Sequence, residues 1–213
     1  MSKASLFLPV IDNGMGLSRT SWAVCMMALC ASPIFRERRV EIQPFSYPYP
    51  DGAMNAVTAD FMRSGCDELL IIDTDVVFKP RDIEWLLSHE VEVVAGLYPK
   101  KKIGLEFPCQ QLEGFDFSKD PFANPLLPVK RVARGFMRIK RGVFTKLAQC
   151  TETYDDVETG EKCFDFWRKL AGGHSEDFYF CDTWRAIGGT VYIDQRICTQ
   201  HEGHALYPIA GTY

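Results

Sequence analysis

The sequence predicts an α/β domain with a mostly parallel central sheet flanked by helices, and three observations carry that expectation. Apolar runs that read as strands alternate with stretches of helical periodicity between Ser5 and Gly96, the pattern of a doubly wound sheet. The run Leu69-Leu70-Ile71-Ile72 is apolar without alternation, as expected of a strand covered on both faces. A chain of 213 residues that is 46% hydrophobic suits one sizeable domain with a buried core, and residues 1–213 are read as a single domain.

The elements follow in order. Ser5 to Val10 reads as a buried strand that stops in Asp12-Asn13-Gly14. Ser18 is the expected cap of a helix carrying Trp22, Cys25, Met26 and Leu29, which ends before Pro33. Val40 to Phe45 is a second strand, and Tyr47-Pro48-Tyr49-Pro50 breaks regular structure. With Asp51 as N-cap, Met54, Val57, Thr58, Phe61 and Met62 recur at helical spacing, and Gly65 closes the helix. The apolar strand then ends in Asp73-Thr74-Asp75, Pro80 opens a helix with Ile83, Leu86 and Leu87 inward, and Val91 to Ala95 is the next strand.

From Gly104 to Val129 the text turns irregular and aromatic, predicting a long functional loop with one edge strand. Gly135 to Ile139 reads as a strand, followed by a helix through Val143, Phe144 and Leu147 and a mobile polar interval from Thr151 to Gly160. Ser175 caps a helix carrying Phe180, Cys181, Trp184 and Ile187, ended by Gly188-Gly189. Thr190 to Ile193 is the last clear strand before Gln200-His201-Glu202-Gly203-His204.

Composition excludes several classes. A formal net charge of -4 does not suit a nucleic-acid binder, although Lys100-Lys101-Lys102 forms a local basic patch. The eight cysteines include no CxxC pair, so zinc-ribbon and thioredoxin readings fail, and a reducing compartment is expected. No signal peptide or membrane-length apolar run is present in the sequence; a cytoplasmic protein is expected, in the host cytoplasm if viral. Gly14-Met15-Gly16 begins a dinucleotide fingerprint, but Arg19 stands where its third glycine belongs.

The chemistry centres on Asp73 and Asp75. Two carboxylates one residue apart at the end of a buried strand repel unless a cation neutralises them, and hard oxygen ligands suit Mg²⁺ or Mn²⁺. The plain alternative is a capped turn. In a doubly wound sheet, ligands collect at the carboxyl ends of the strands, where this pair lies. His201 or His204 can add an imidazole ligand. Glu176 and Asp177 fall in the first turn of their helix, which the macrodipole favours, or else point a carboxylate into the cleft as a base.

Taken in order, these motifs resemble the GT-A glycosyltransferases. The stretch from Asn55 through Glu68-Leu69-Leu70-Ile71-Ile72-Asp73-Thr74-Asp75 to Pro80 is similar to the family's Asp-x-Asp region. Val93 to Lys100 and Gly135 to Arg141 resemble strands of a viral and bacterial subgroup. Ser175-Glu176-Asp177 resembles the acidic xED motif, and Ile193-Asp194 with His201-Glu202-Gly203-His204 the terminal metal-histidine segment. The resemblance spans Ser5 to about Tyr207. It is especially near a chlorella-virus glycosyltransferase domain that forms the first part of a longer protein, and the end at Tyr213 fits a domain with further domains in the same polypeptide.

The resemblance implies a GT-A fold and transfer of a hexose or deoxyhexose from a UDP-sugar to a carbohydrate or glycoprotein glycan acceptor. It implies Mn²⁺ or Mg²⁺ on Asp75, Asp73 and His201, with Asp73 also able to bind ribose or sugar hydroxyls. Pro9, Val10 and Asp12 would grip uracil and ribose, Asn55 and Arg63 would support the nucleotide, and Thr74 and Gly135 would lie beside the donor. Asp177 and Glu176 would be the catalytic carboxylates. Retention of anomeric configuration is favoured, with no residue that decides it. A sugar-phosphate nucleotidyltransferase and a non-catalytic nucleotide- or glycan-binding module are the alternatives.

Overall fold

Strand β3 (Glu68–Ile72) is buried at every position, and its side chains divide between two cores. Leu69 and Ile71 join one cluster with Phe61, Phe144, Trp167, Phe180 and Trp184. Leu70 and Ile72 join the other, with Trp22, Leu29, Ile83, Leu86 and Phe136. This is the period-2 alternation of a strand packed on both faces. Each such Leu or Ile contributes about 1.5–3 kcal/mol on burial, so a polar substitution on either face breaks the sheet at its centre.

The computed structural model describes residues 4–12, 20–46, 50–102, 104–157, 160–169, 175–203 and 206–207. In chain order the elements are β1 (Leu6–Asp12), α1 (Thr20–Ala31), α2 (Pro33–Glu37), β2 (Val40–Ser46), α3 (Pro50–Ser64), β3, β4 (Val76–Val77), α4 (Pro80–Ser88), β5 (Val93–Leu97) and β6 (Cys109–Gln111). There follow β7 (Leu126–Val132), β8 (Phe136–Lys140), α5 (Arg141–Leu147), β9 (Thr153–Asp155), β10 (Lys162–Phe164), α6 (Glu176–Ala186), β11 (Val191–Cys198), β12 (Gln200–Glu202) and β13 (Leu206–Tyr207). Helices α3, α5 and α6 supply the first core, and α1 and α4 the second.

The main sheet has 8 strands in the order β2-β1-β3-β8-β5-β11-β7-β6. Of these 8 strands only β8 and β7 run against the others, so the sheet is mixed while most of its strands share one direction, as expected. Strands β1, β2 and β3 run parallel, as do β5 and β11. Between the two groups β8 inserts antiparallel to both β3 and β5, and β7 and β6 complete an antiparallel edge. The physical reason is the excursion between β5 and β8: the chain re-enters the sheet from the carboxyl end of β3, and an antiparallel strand needs no crossover helix.

Other boundaries shift modestly. Asp51 lies inside the first turn of α3 rather than at its cap. The strand expected from Val91 is Val93–Leu97, and the last strand extends to Cys198. The polar interval after α5 holds β9, paired with β10. The expected edge strand in the aromatic loop is β6. Ser175 caps α6 through its carbonyl, which accepts from Phe178 and Tyr179, not through its hydroxyl. The expected cap Ser18 and the break at Tyr47-Pro48-Tyr49 fall outside the described residues. All eight cysteines are free. Among the described residues no helix is long and apolar enough to cross a membrane.

Candidate functional site

The site is assembled where β3 ends. Val76 N–H donates to Asp73 O at 3.0 Å, closing a tight turn that carries Asp73, Thr74 and Asp75. The chain then enters β4, which pairs antiparallel with β12 and sets Val76 opposite His201. Glu202 N–H donates to Asp75 O at 2.7 Å and ties the turn to the distant strand. This pairing brings His201 Nε2 to 3.3 Å from Asp75 Oδ1.

The orientation of the His201 ring follows from its other nitrogen. Nδ1 lies 2.9 Å from Pro99 O, and because a carbonyl only accepts, Nδ1 carries the hydrogen. In the neutral ring Nε2 then presents a lone pair towards Asp75. The 3.3 Å gap between Nε2 and Asp75 Oδ1 holds a proton when His201 donates to the carboxylate, and a divalent ion could take that proton's place. An imidazole nitrogen whose partner nitrogen is held by a carbonyl, beside a carboxylate, is a donor set that suits a divalent ion. Burial raises the Asp75 pKa, but hydrogen bonds and charge from His201 and Lys101 outweigh it and bring the carboxyl down to about 2. Lys101 Nζ sits 2.5 Å from the other oxygen, Oδ2.

A second cluster adjoins through Asp73. Arg134 NH1 donates to Asp73 Oδ1 at 2.9 Å, its Nε lies 3.2 Å from Asp177 Oδ1, and its NH2 lies 3.7 Å from Glu176 Oε1. Burial alone would lower the Arg134 pKa, but the carboxylates of Asp73, Asp177 and Glu176 raise it, so the guanidinium stays charged. The carboxylates outnumber it. Asp177 responds: burial pushes it up first, Arg134 opposes, Glu176 and Asp73 add repulsion, and the result is about 7. Neither Asp177 Oδ1 nor Arg134 Nε, both buried, has a hydrogen-bond partner of good geometry.

Gly135 makes this packing possible. Its carbonyl accepts from Asp73 N–H at 2.9 Å, and its N–H donates to the Tyr98 hydroxyl at 3.2 Å. A Cβ at this position would stand 2.6 Å from that hydroxyl and 2.7 Å from Asp73 Oδ2. Tyr98, buried among these groups, meets the His201 ring edge-on at 5.0 Å. Burial and the nearby carboxylates of Asp73 and Asp177 keep its hydroxyl protonated.

The structure thus brings together Asp73, Asp75, Gly135, Glu176, Asp177 and His201. It forms two centres rather than one ligand set: Asp75 faces His201, whereas Asp73 turns to Arg134. Among the described residues no group of three or more His, Cys, Asp or Glu side chains is arranged to hold a metal. Thr74 is half-buried in the turn. Pro9 and Val10 and the backbone of Asp12 lie towards the carboxyl end of β1, the parallel neighbour of β3; the Asp12 side chain and all of His204 lie outside the description.

Two expected nucleotide contacts are occupied elsewhere. Asn55 is buried, donates to Asp165 Oδ1 at 3.2 Å and accepts from Trp167 N–H at 3.0 Å, so it anchors the segment before α6. Arg63 sits in the last turn of α3 and pairs with Asp60 and Glu161. Arg134, Tyr98 and Lys101 were not identified as site residues from sequence. Adjacency of Arg134 to the glycine-led strand and of Lys101 to the basic loop were the available signals.

No family model and no curated protein matches the chain. Among solved structures, 92 chains match. One, the crystal structure of A197 from STIV, aligns with a TM-score of 0.56 at 16% identity, covering 93% of this chain and 86% of that one. The likeness is one of fold, and it extends over nearly the whole α/β architecture.

Proposed function

We propose that the chain is a metal-dependent glycosyltransferase that moves a hexose or deoxyhexose from a UDP-sugar to a carbohydrate acceptor. The observation that carries this reading is the Asp75–His201 pair, a carboxylate oxygen and an imidazole nitrogen 3.3 Å apart, with the opposite ring nitrogen held by Pro99. Asp75 and His201 would hold Mn²⁺ or Mg²⁺, and a bound metal would stabilise the charge that builds on the departing diphosphate. Asp73, fixed by Arg134 and Gly135, would receive ribose or sugar hydroxyls. The motif order of GT-A glycosyltransferases supports the assignment, as does the position of the pair at the carboxyl end of a central strand.

Asp177 has the character of a proton acceptor. A carboxyl brought to about 7 by burial can take a proton from an acceptor hydroxyl near neutral pH. That character would suit inversion, while the resemblance favours retention. Titration calorimetry with UDP in the presence and absence of Mn²⁺ tests the central claim: metal-dependent UDP binding is expected, and its absence overturns it. Anomeric analysis of the product of a donor-hydrolysis screen with UDP-, GDP- and dTDP-sugars then decides the stereochemical course.

A further inference from the structure

The loop after β5 carries three consecutive lysines, and the structure uses them differently. Lys100 and Lys102 both pair with Glu106, and Lys100 N–H also donates to Glu106 O at 2.7 Å. Those contacts fold the loop on itself. Lys101 alone turns the other way, placing Nζ 2.5 Å from Asp75 Oδ2. The same loop supplies the Pro99 carbonyl that orients His201. One short segment therefore orients the His201 ring and holds a cation on the carboxylate beside it.

Resting on the functional reading above, we propose that Lys101 is a displaceable counter-cation that occupies Asp75 until metal and donor arrive, then moves to the donor's diphosphate. One observation and two physical arguments converge. The ammonium and a divalent ion compete for one carboxylate, and both cannot sit on Asp75 without repulsion. The pair is cheap to break, because the Lys101 side chain is 34% exposed and that of Asp75 26%, and an exposed pair shifts an equilibrium by no more than about fivefold. The lysine stem is long and flexible, and an ammonium serves phosphate as a point charge without fixed geometry. A metal held by Asp75 and His201 would leave positions for phosphate oxygens, and a diphosphate bound there would offer the expelled ammonium a charged partner.

The proposal predicts opposite effects on two ligands. In Lys101→Met, Mn²⁺ alone binds about two- to fivefold more tightly, since its competitor is gone. UDP in saturating Mn²⁺ binds about three- to tenfold more weakly, since one charge-assisted contact to phosphate is lost. Lys101→Arg restores UDP binding, and Lys102→Met changes neither constant. Titration calorimetry of Mn²⁺ and then of UDP reads all four proteins without turnover, with circular dichroism confirming the fold. Weaker Mn²⁺ binding in Lys101→Met, or unchanged UDP binding, overturns the role of Lys101 while leaving the glycosyltransferase reading intact. A wild-type chain that binds neither Mn²⁺ nor UDP removes both.

Discussion

Arg134 NH1 donates to Asp73 Oδ1 at 2.9 Å, so the first carboxylate of the Asp73-Thr74-Asp75 turn is held by the protein's own cation. The two aspartates therefore differ in kind. Asp73 is pinned by a buried guanidinium, and Asp75 faces a histidine nitrogen and an exposed ammonium.

Removing Arg134 leaves Asp73, Glu176 and Asp177 without their cation. Breaking a buried pair from one side costs about 3–5 kcal/mol, and Arg134→Met is expected to lose that much in urea denaturation. The double variant Arg134→Met with Asp177→Asn should recover part of the loss. Full additivity of the two changes would contradict the coupling.

Stability should depend on pH through two carboxyls with opposite signs. Asp177 is raised from 3.8 to about 7, so the native state keeps a proton that the unfolded chain releases. Its contribution is complete below about pH 4 and fades as pH rises through about 7. Asp75 is lowered to about 2, so its contribution is present above the ordinary carboxylate range and is lost as pH falls towards 2. Asp177→Asn should flatten the neutral limb only, as read by denaturation midpoints between pH 4 and 8. An unchanged neutral limb would place the buried charge elsewhere.

The same carboxyl sets the expected activity profile. If Asp177 takes the acceptor proton, kcat/KM rises to a plateau above about pH 7. Asp177→Asn should then lower turnover by about 10²–10⁴-fold and erase the acidic limb, while UDP and Mn²⁺ still bind. Loss of UDP binding in that variant would assign Asp177 to donor binding instead.

Asp75→Asn and His201→Ala should each abolish or strongly weaken Mn²⁺ binding without unfolding the chain, because the Asp75 contacts are partly exposed. Calorimetry with Mn²⁺ checks this, with Asp73→Asn as the contrast. Asp73→Asn should keep most metal affinity, since Asp73 is engaged with Arg134; equal loss in all three variants would restore a three-ligand site.

Gly135→Ala tests the close approach of β8 to the turn. The added methyl would meet the Tyr98 hydroxyl at 2.6 Å and Asp73 Oδ2 at 2.7 Å. Overpacking of this kind costs about 1–3 kcal/mol, and UDP affinity should fall with it. A variant with wild-type thermal stability and UDP affinity would show that the cleft can relax there.

The sequence by itself determined the main helices, the central strands and the acidic turn. Apolar periodicity located α3, β3 and α4, because burial of one helix face or both strand faces leaves a local signature at fixed spacing. Gly65 and Gly188 marked helix ends, and both adopt positive φ. Even the acidic pair opening α6 was readable from its position. Tertiary structure alone decided what is not local. The antiparallel insertion of β8 between β3 and β5 left no spacing in the chain, because strand direction depends on where the connection re-enters the sheet. Two partners of the aspartates were equally hidden: Arg134 and Lys101 reach the turn through the segment before β8 and the loop after β5, whereas His201 is named by the motif resemblance. Charges at long sequence separation meet only after the sheet has formed, and no periodicity records which of two neighbouring carboxylates each one chooses. The Asp73-Thr74-Asp75 motif was legible as a pair, and the fold made its members unlike.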